Sequence, residues 1–256
     1  MSSAPEVTWL TAFIDLPASA HRAGTEFWRS VTGSAVSPAR GEDSEFASLL
    51  PDDGDPHVAV QRVGRHETTC HLDVHVAPGD IAAAVDRAVA LGAAEVTRPP
   101  GDAYVVLRSP AGVTHCVVDH VQSTVAPSPR WPGGHHAVVD QVCLDVPADR
   151  FDAELDYWAA LTGWVRSPAP LPEFAGLERP AGIPLRILLQ ATGSPRAGMH
   201  LDLAVTDRAA ETARHVALGA SVKDTHEGWT VLRAPSGEPY CLTDRTPVDA
   251  QPGSAS

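Results

Sequence analysis

Two histidines begin closely matching segments, HLDVHV from His71 and HLDLAV from His200. Because side chains alternate between the two faces of a strand, Asp73 and His75 share the face of His71. Asp202 shares the face of His200 in the same way. An imidazole titrates near neutral pH and a nearby carboxylate orients it, so such a row could transfer a proton. The alternatives are a solvated strand face, or a histidine that hydrogen-bonds across a sheet.

The segments that carry these histidines belong to two diverged copies of one unit. Five further motifs recur in the same order at an offset of about 130 residues that shrinks slowly along the chain. They are FIDLP and CLDVP, FW and YW, TG and TG, LGA and LGA, and YVVLRSPAG and WTVLRAPSG. A repeat of this kind indicates a tandem duplication.

Each copy has patterns typical of a strand, a helix and further strands, twice over. Apolar residues at helical spacing, followed by a glycine suited to end a helix, predict helices at residues 20–31, 81–91, 149–161 and 209–218. Alternating or short apolar runs predict strands at 8–16, 46–50, 58–63 and 71–76, and at 138–146, 174–177, 185–190 and 200–205. Two last strands are predicted in each copy, on either side of a turn at 109–112 or 234–237. The fold class is therefore α+β, a mixed α/β architecture.

The 256 residues are enough for two domains. We place them at residues 5–122 and 136–246. Between them lies a linker at 123–135, rich in Pro, Gly and Ser, and a small polar tail at 247–256 is expected to be disordered.

The overall composition excludes several classes of partner. A net charge of -13 with scattered basic residues argues against nucleic acid. No apolar run approaches a membrane span and no leader pattern is present, which favours a cytoplasmic protein with no membrane partner. The four cysteines form no CxxC pair and are expected to be reduced. Four predicted strand–helix modules in one chain are compatible with a monomer or a homodimer.

The motifs of both copies together resemble the vicinal oxygen chelate superfamily, of the glyoxalase and bleomycin-resistance type. The resemblance rests on FIDLPAS, EFWRSVTG, HLDVHV, AVALGA and YVVLRSPAGVTHCVV in the first copy, and on DQVCLDVP, LDYWAALTG, HLDLAV, VALGA and WTVLRAPSGEPYCLT in the second. It covers both domains nearly end to end. It implies tandem domains, each made of two βαβββ modules whose curved sheets form a cup for a small organic ligand.

The resemblance also implies positions for the ligands of a divalent metal. Each copy retains the histidine, as His71 and His200, but cysteine stands where the last-strand carboxylate is expected, at Cys116 and Cys241. The first-strand position holds Thr11 in one copy and Gln141 in the other, and the nearest fourth-strand candidates are Gln61 and Gln190. A two-histidine, one-carboxylate iron set is absent, which disfavours extradiol dioxygenase activity. We expect no cofactor; if a divalent metal binds, the predicted ligands are Gln141, His200 and Cys241.

These considerations predict a protein that binds a small organic ligand, with His71 and His200 as catalytic residues of a metal-independent lyase or isomerase. The alternative is sequestration of a natural product or antibiotic without turnover, for which the six tryptophans could provide stacking surfaces. A metal-dependent lyase or dioxygenase is a third possibility. The predicted ligand-binding residues are Thr11, Gln61, Asp73, His75, Cys116, Gln141, Gln190, Asp202 and Cys241.

Overall fold

The chain folds into two mixed sheets of eight strands each, with four helices, in a computed structural model that describes residues 5–101, 103–169 and 171–250. The first copy contains β1 (Val7–Pro17), α1 (His21–Thr32), β2 (Ala35–Val36), β3 (Phe46–Leu50), β4 (Val58–Val63), β5 (Thr69–Val76), α2 (Ile81–Ala90), β6 (Ala94–Thr97), β7 (Val105–Arg108) and β8 (Thr114–Val118). This is the βαβββ order, twice.

The second copy repeats that order. It contains β9 (Ala137–Pro147), α3 (Phe151–Thr162), β10 (Arg166–Pro168), β11 (Phe174–Leu177), β12 (Arg186–Thr192), β13 (Gly198–Val205), α4 (Arg208–Ala217), β14 (Ser221–Thr225), β15 (Trp229–Arg233) and β16 (Pro239–Thr243). The strand orders, β2-β3-β4-β1-β5-β8-β7-β6 and β10-β11-β12-β9-β13-β16-β15-β14, are equivalent. The predicted mixed α/β fold with tandem modules is confirmed.

The predicted helices and most strands agree with the structure to within two residues at each end. Helices α1 and α3 end at Gly33 and Gly163, whose φ angles of 68° and 73° need the freedom of glycine. The pattern missed β2, β6, β10 and β14. These strands are short, and most of their residues are exposed, so they lack a strong apolar signal.

The contacts of the chain define two compact units that do not coincide with the two sequence copies. Unit 1 comprises residues 1–12, 70–124 and 142–199; unit 2 comprises residues 13–69, 125–141 and 200–256. Each unit therefore combines the second half of one copy with the first half of the other.

Aromatic side chains form the centre of each unit. Trp158 is fully buried in unit 1, and Tyr157 is nearly so; Trp28 and Phe27 hold the equivalent places in unit 2. The Phe-Trp and Tyr-Trp pairs of the two repeats are therefore core residues.

Other parts of the chain agree only partly with expectation. None of the four cysteines forms a disulfide within the described part of the chain. Residues 248–250 form a short 3-10 helix and Asp249 accepts a hydrogen bond from the backbone of Ser128, so this part of the predicted disordered tail is structured. Residues 251–256 lie outside the described residues. Among the described helices, none is both long and apolar enough to cross a membrane.

Candidate functional site

In unit 1, strands β5 and β8 bring together His71, Asp73 and Cys116. The two strands run parallel, and their register pairs Asp73 with Cys116. His71 Nε2 lies 3.6 Å from Asp73 Oδ1, and one potential ligand atom from each of the three residues lies within 4.8 Å of the others. Strand alternation alone predicted the His71–Asp73 pair, but the proximity of Cys116 depends on the pairing register.

Thr11 and His75 belong to the same first-repeat cluster, which we define as Thr11, His71, Asp73, His75 and Cys116. His75 Nδ1 lies 3.0 Å from the carbonyl oxygen of His120, which can only accept, so Nδ1 carries the proton. Burial lowers the pKa of His75, and the neutral ring therefore uses Nε2 to accept a hydrogen bond from the Thr11 hydroxyl at 3.0 Å. His75 is thus engaged with Thr11 and the backbone.

The second-repeat cluster lies in unit 2 and comprises Gln141, His200, Asp202 and Cys241. Strands β13 and β16 pair Asp202 with Cys241, the same register as in the first copy. His200 Nε2 lies 3.4 Å from Asp202 Oδ1, and the Gln141 amide donates to Asp202 Oδ2 at 2.6 Å. The three residues predicted as metal ligands therefore all lie beside Asp202.

The charge of Asp202 is compensated by its surroundings. Burial alone would raise the pKa of this carboxyl group, but His200, Arg245 and Gln141 together lower it. Arg245 is itself held by an ion pair to Asp140 at 2.5 Å. Burial raises the pKa of the Cys241 thiol, which favours the protonated form. Asp202 is therefore an ionised carboxylate beside an imidazole and a thiol.

Two predicted residues are assigned to neither group, and some contributors were not predicted. Gln61 is half-buried on β4 in unit 2, and Gln190 is half-buried on β12 in unit 1; each therefore belongs to a different unit from the cluster of its own copy. Arg245 and Asp140 were missed because they are far apart in sequence and no local pattern indicates that they pair. Cys143, two residues beyond Gln141, shares a face of β9 with it and is buried.

The chain belongs to the glyoxalase-like domain family. The family model matches residues 11–118 and 141–243, which is most of both copies. No curated protein is significantly similar to the sequence.

Several solved structures share the fold. The Mn(II)-bound glyoxalase from Novosphingobium aromaticivorans is 17% identical with a TM-score of 0.68, covering 96% of this chain and 86% of that one. The 2,3-dioxygenase LapB from Pseudomonas sp. KL28 is 12% identical with a TM-score of 0.62, covering 97% and 95%. BphC, a halotolerant catechol dioxygenase, is 16% identical with a TM-score of 0.62, covering 93% and 87%. At these identities the likeness concerns the fold.

A metal-dependent member of this fold needs a suitable donor set, and the first-repeat cluster has one. Imidazole, carboxylate and thiol are the donors of His71, Asp73 and Cys116, and they suit a borderline-soft ion such as zinc. Manganese and iron(II) prefer oxygen and imidazole donors, which this cluster offers less completely. Both aspartates keep a buried Oδ1 atom that accepts no hydrogen bond from the described residues, although a histidine nitrogen faces each one.

Proposed function

We propose that the protein binds a small organic ligand and acts on it as a lyase or isomerase, by proton transfer at the second-repeat cluster. The supporting observation is the buried pair of His200 and Asp202, whose facing atoms are 3.4 Å apart. In an isomerase, such a base removes a proton from one carbon and returns it to another. In a lyase, it removes a proton while a group leaves the adjacent carbon.

Each residue of this cluster has a distinct part in the proposal. His200 exchanges the proton, because it is the imidazole of the cluster and 11% of its side chain is exposed to an incoming ligand. Asp202 stays ionised, because Gln141 and Arg245 stabilise its charge, and it orients and stabilises the imidazole as this takes up a proton. The protonated Cys241 is a weak hydrogen-bond donor rather than a nucleophile, since the thiolate is the reactive form.

The alternative of sequestration on tryptophan walls has little support among the described residues. Four of the six tryptophans are buried, namely Trp9, Trp28, Trp158 and Trp164. Arg214 lies 3.5 Å above the ring of Trp131, and His226 stacks on Trp229 at 4.4 Å. The indoles expected to stack on a ligand therefore already have protein partners.

Metal-dependent chemistry is a second candidate, supported by the donor set of the first-repeat cluster. A divalent ion held by His71, Asp73 and Cys116 would supply Lewis-acid polarisation of a ligand oxygen.

Proton transfer can be tested without knowing the product. The purified protein is incubated in D₂O with a panel of small carbonyl compounds, and deuterium entry at carbon is followed by NMR and mass. We expect exchange with at least one compound class. His200→Gln should abolish it, and Asp202→Asn should reduce it by about 10²-fold or more.

The exposed His66 provides the matched control, because His66→Gln removes an imidazole without touching either cluster. Undiminished exchange in a folded His200→Gln variant would exclude the proposed base. Stoichiometric binding of a compound without any exchange would favour sequestration instead.

A further inference from the structure

A small, mostly apolar cavity lies within unit 2, and none of its lining residues belongs to the second-repeat cluster. Its volume is about 40 Å³, and it is partly open to solvent. The walls come from the end of α1, from β3 and β4, from residues 126–129, and from β9 and β13. Most of the lining side chains are aliphatic or proline, so the cavity suits an apolar group.

Unit 1 has tryptophan at two positions equivalent to residues of this lining. Strands β1 and β9 have the same length and align Trp9 with Val139. The residues that follow the helix-ending glycines of α1 and α3 are Ser34 and Trp164. Both tryptophans are buried, and both Val139 and Ser34 line the cavity. Unit 2 therefore lacks two indole rings at positions where unit 1 contains them.

The chain replaces only part of this aromatic volume. Protein interiors are close-packed, so lost side-chain volume is either taken up by other atoms or left as a cavity. Pro127 and Pro129, which precede β9, take up some of the space. A water molecule needs roughly 10–15 Å³ of such a cavity, so 40 Å³ holds about three groups of that size. This is enough for the edge of one ring and too small for an indole.

The polar groups of the lining favour a neutral ligand with one polar substituent. His57 Nε2 donates to the carbonyl of Val139 at 2.9 Å, so Nδ1 of the neutral ring is an acceptor. The Ser34 hydroxyl can donate or accept. Among the described residues that line the cavity, none carries a carboxylate, guanidinium or ammonium group. A charged ligand would therefore be desolvated without a compensating charge.

The walls of the cavity are held in place by contacts within unit 2. Arg214 donates to the carbonyls of Ser30 and Val31 at the end of α1. The backbone and the hydroxyl of Ser128 both donate to Asp249, at 2.7 and 3.0 Å. Walls that are already ordered cost little further entropy when a ligand enters.

We propose that this cavity is a second ligand site, which binds a neutral, flat, single-ring molecule of the phenol class. The ring edge occupies the space that indoles fill in unit 1, and the hydroxyl lies toward Ser34 and His57. This inference concerns different residues from the proposed proton transfer and does not depend on it.

Phenol itself is the probe, and NMR of the full-length protein is the measurement because it locates weak binding. Backbone amides of residues 31–34, 126–129 and 137–139 should shift saturably, with one phenol per chain. The amides around Trp9 and Trp164 in unit 1 should not shift. Benzoate and indole should bind at least about tenfold more weakly, because benzoate carries a charge and indole is too large.

Variants test the comparison between the two units. Val139→Trp and Ser34→Trp each give unit 2 the residue of unit 1, and each should weaken phenol binding by at least about tenfold. Val222→Trp is the matched control, because it adds an indole at an exposed position of unit 2 outside the lining. It should leave binding unchanged. Circular dichroism and thermal unfolding establish that each variant is folded.

Three results would overturn the proposal. They are the absence of saturable shifts in the lining amides, shifts centred on His200 and Asp202 instead, and undiminished binding in a folded Val139→Trp or Ser34→Trp variant. The comparison of phenol with benzoate and indole uses the unmodified chain, so it decides the matter even if neither tryptophan variant folds. Deuterium exchange at His200 is measured separately, so failure of one proposal leaves the other standing.

Discussion

In both compact units the indole of a buried tryptophan donates a hydrogen bond to a buried carboxylate, but the carboxylate comes from a different element in each. In unit 1, Trp158 donates to Glu154 at 2.8 Å, and both residues lie on α3. In unit 2, Trp28 of α1 donates at 2.5 Å to Glu238, which lies in the turn before β16. Burying an indole N–H favours a hydrogen-bond acceptor in place of water, and either the helix itself or the turn before the last strand can supply that acceptor.

At each of the two positions that supply a carboxylate to the indole, only one of the two units has a glutamate. The repeat aligns Glu154 with Gly24, and Glu238 with Val113. A Cβ atom added at Gly24 would lie 2.6 Å from Leu16 Cδ2 and 2.9 Å from Ser236 Oγ, so α1 has no room for a side chain there. Each unit therefore holds one acceptor, and the residue opposite it is correspondingly small or apolar.

A second comparison concerns the arginines of α2 and α4. Arg87 donates to the carbonyl of Ala160 near the end of α3, and Arg214 donates to the carbonyls of Ser30 and Val31 near the end of α1. In unit 2, Arg214 is also paired with the fully buried Glu211. The shared contact is thus surrounded by additional charges in unit 2.

The largest expected effect comes from breaking this buried charge network. Glu211 accepts from Arg214, from His215 at 2.9 Å and from His135 at 2.8 Å. Glu211→Ala should lower the free energy of unfolding by about 3 to 5 kcal/mol, because it leaves a buried cation without its partner. Urea denaturation measures the change. The aligned residue in unit 1 is already alanine, so Ala84→Ser is the control, and a loss there equal to that of Glu211→Ala would contradict the comparison.

The same network should make stability depend on pH with opposite signs in the two units. Burial alone would raise the pKa of Glu211, but Arg214 and His215 lower it from 4.5 to about 2. The stabilisation of the folded state by ionised Glu211 is therefore complete above about pH 4.5 and is lost as the pH falls toward 2. Burial raises the pKa of Glu154, so the folded state binds a proton at this carboxyl group more readily than the unfolded state does. The free energy of unfolding contributed by Glu154 therefore rises as the pH falls.

As the pH is lowered through this acidic range, the backbone amides of α4 should lose protection from hydrogen exchange at a higher pH than those of α3. Earlier loss in α3 would contradict the assigned signs.

Removal of the acceptor in unit 1 should have the next largest effect. Glu154 accepts from the Trp158 indole and from the backbone of Ala111 at 2.8 Å, so Glu154→Ala leaves two buried donors without a partner. We expect a loss of about 3 kcal/mol in unfolding free energy. Asp152→Ala on the exposed side of the same helix should cost less than about 0.5 kcal/mol. Similar losses for the two variants would show that the carboxylate is not needed.

Gly24→Ala should destabilise the protein by about 1 to 3 kcal/mol through overpacking. The sign of this change in stability is informative, because replacing a glycine inside a helix with alanine ordinarily stabilises the protein by up to about 1 kcal/mol. Thermal unfolding decides between the two. An increase in the melting temperature would show that the contact with Leu16 and Ser236 relaxes easily.

The smallest expected effect is that of Arg87→Met, which removes the arginine–carbonyl contact in unit 1. Arg87 donates to a helix-end carbonyl, and a loss of about 1 kcal/mol is expected. Arg214→Met should lower the free energy of unfolding by more, because it also removes one of the cations that stabilise the buried Glu211. Equal losses in urea denaturation would contradict the view that the extra charges matter.

The sequence by itself determined the repeat, the order of the main strands and helices, and the faces on which the functional side chains lie. These follow from local periodicity: alternation places Asp73 with His71, and a glycine that adopts positive φ ends each first helix. The motif HLDVHV therefore predicted a histidine–aspartate pair that could transfer a proton.

The tertiary structure decided which distant residues meet. The pairing of β5 with β8 placed Cys116 beside Asp73, and packing directed Gln141 and Arg245 to Asp202. It also buried His135, the last residue of the predicted linker, against Glu211. Such contacts depend on register and on mutual burial of charge, which no local pattern encodes. For the same reason the compact units join halves of different copies, although the copies are continuous in sequence.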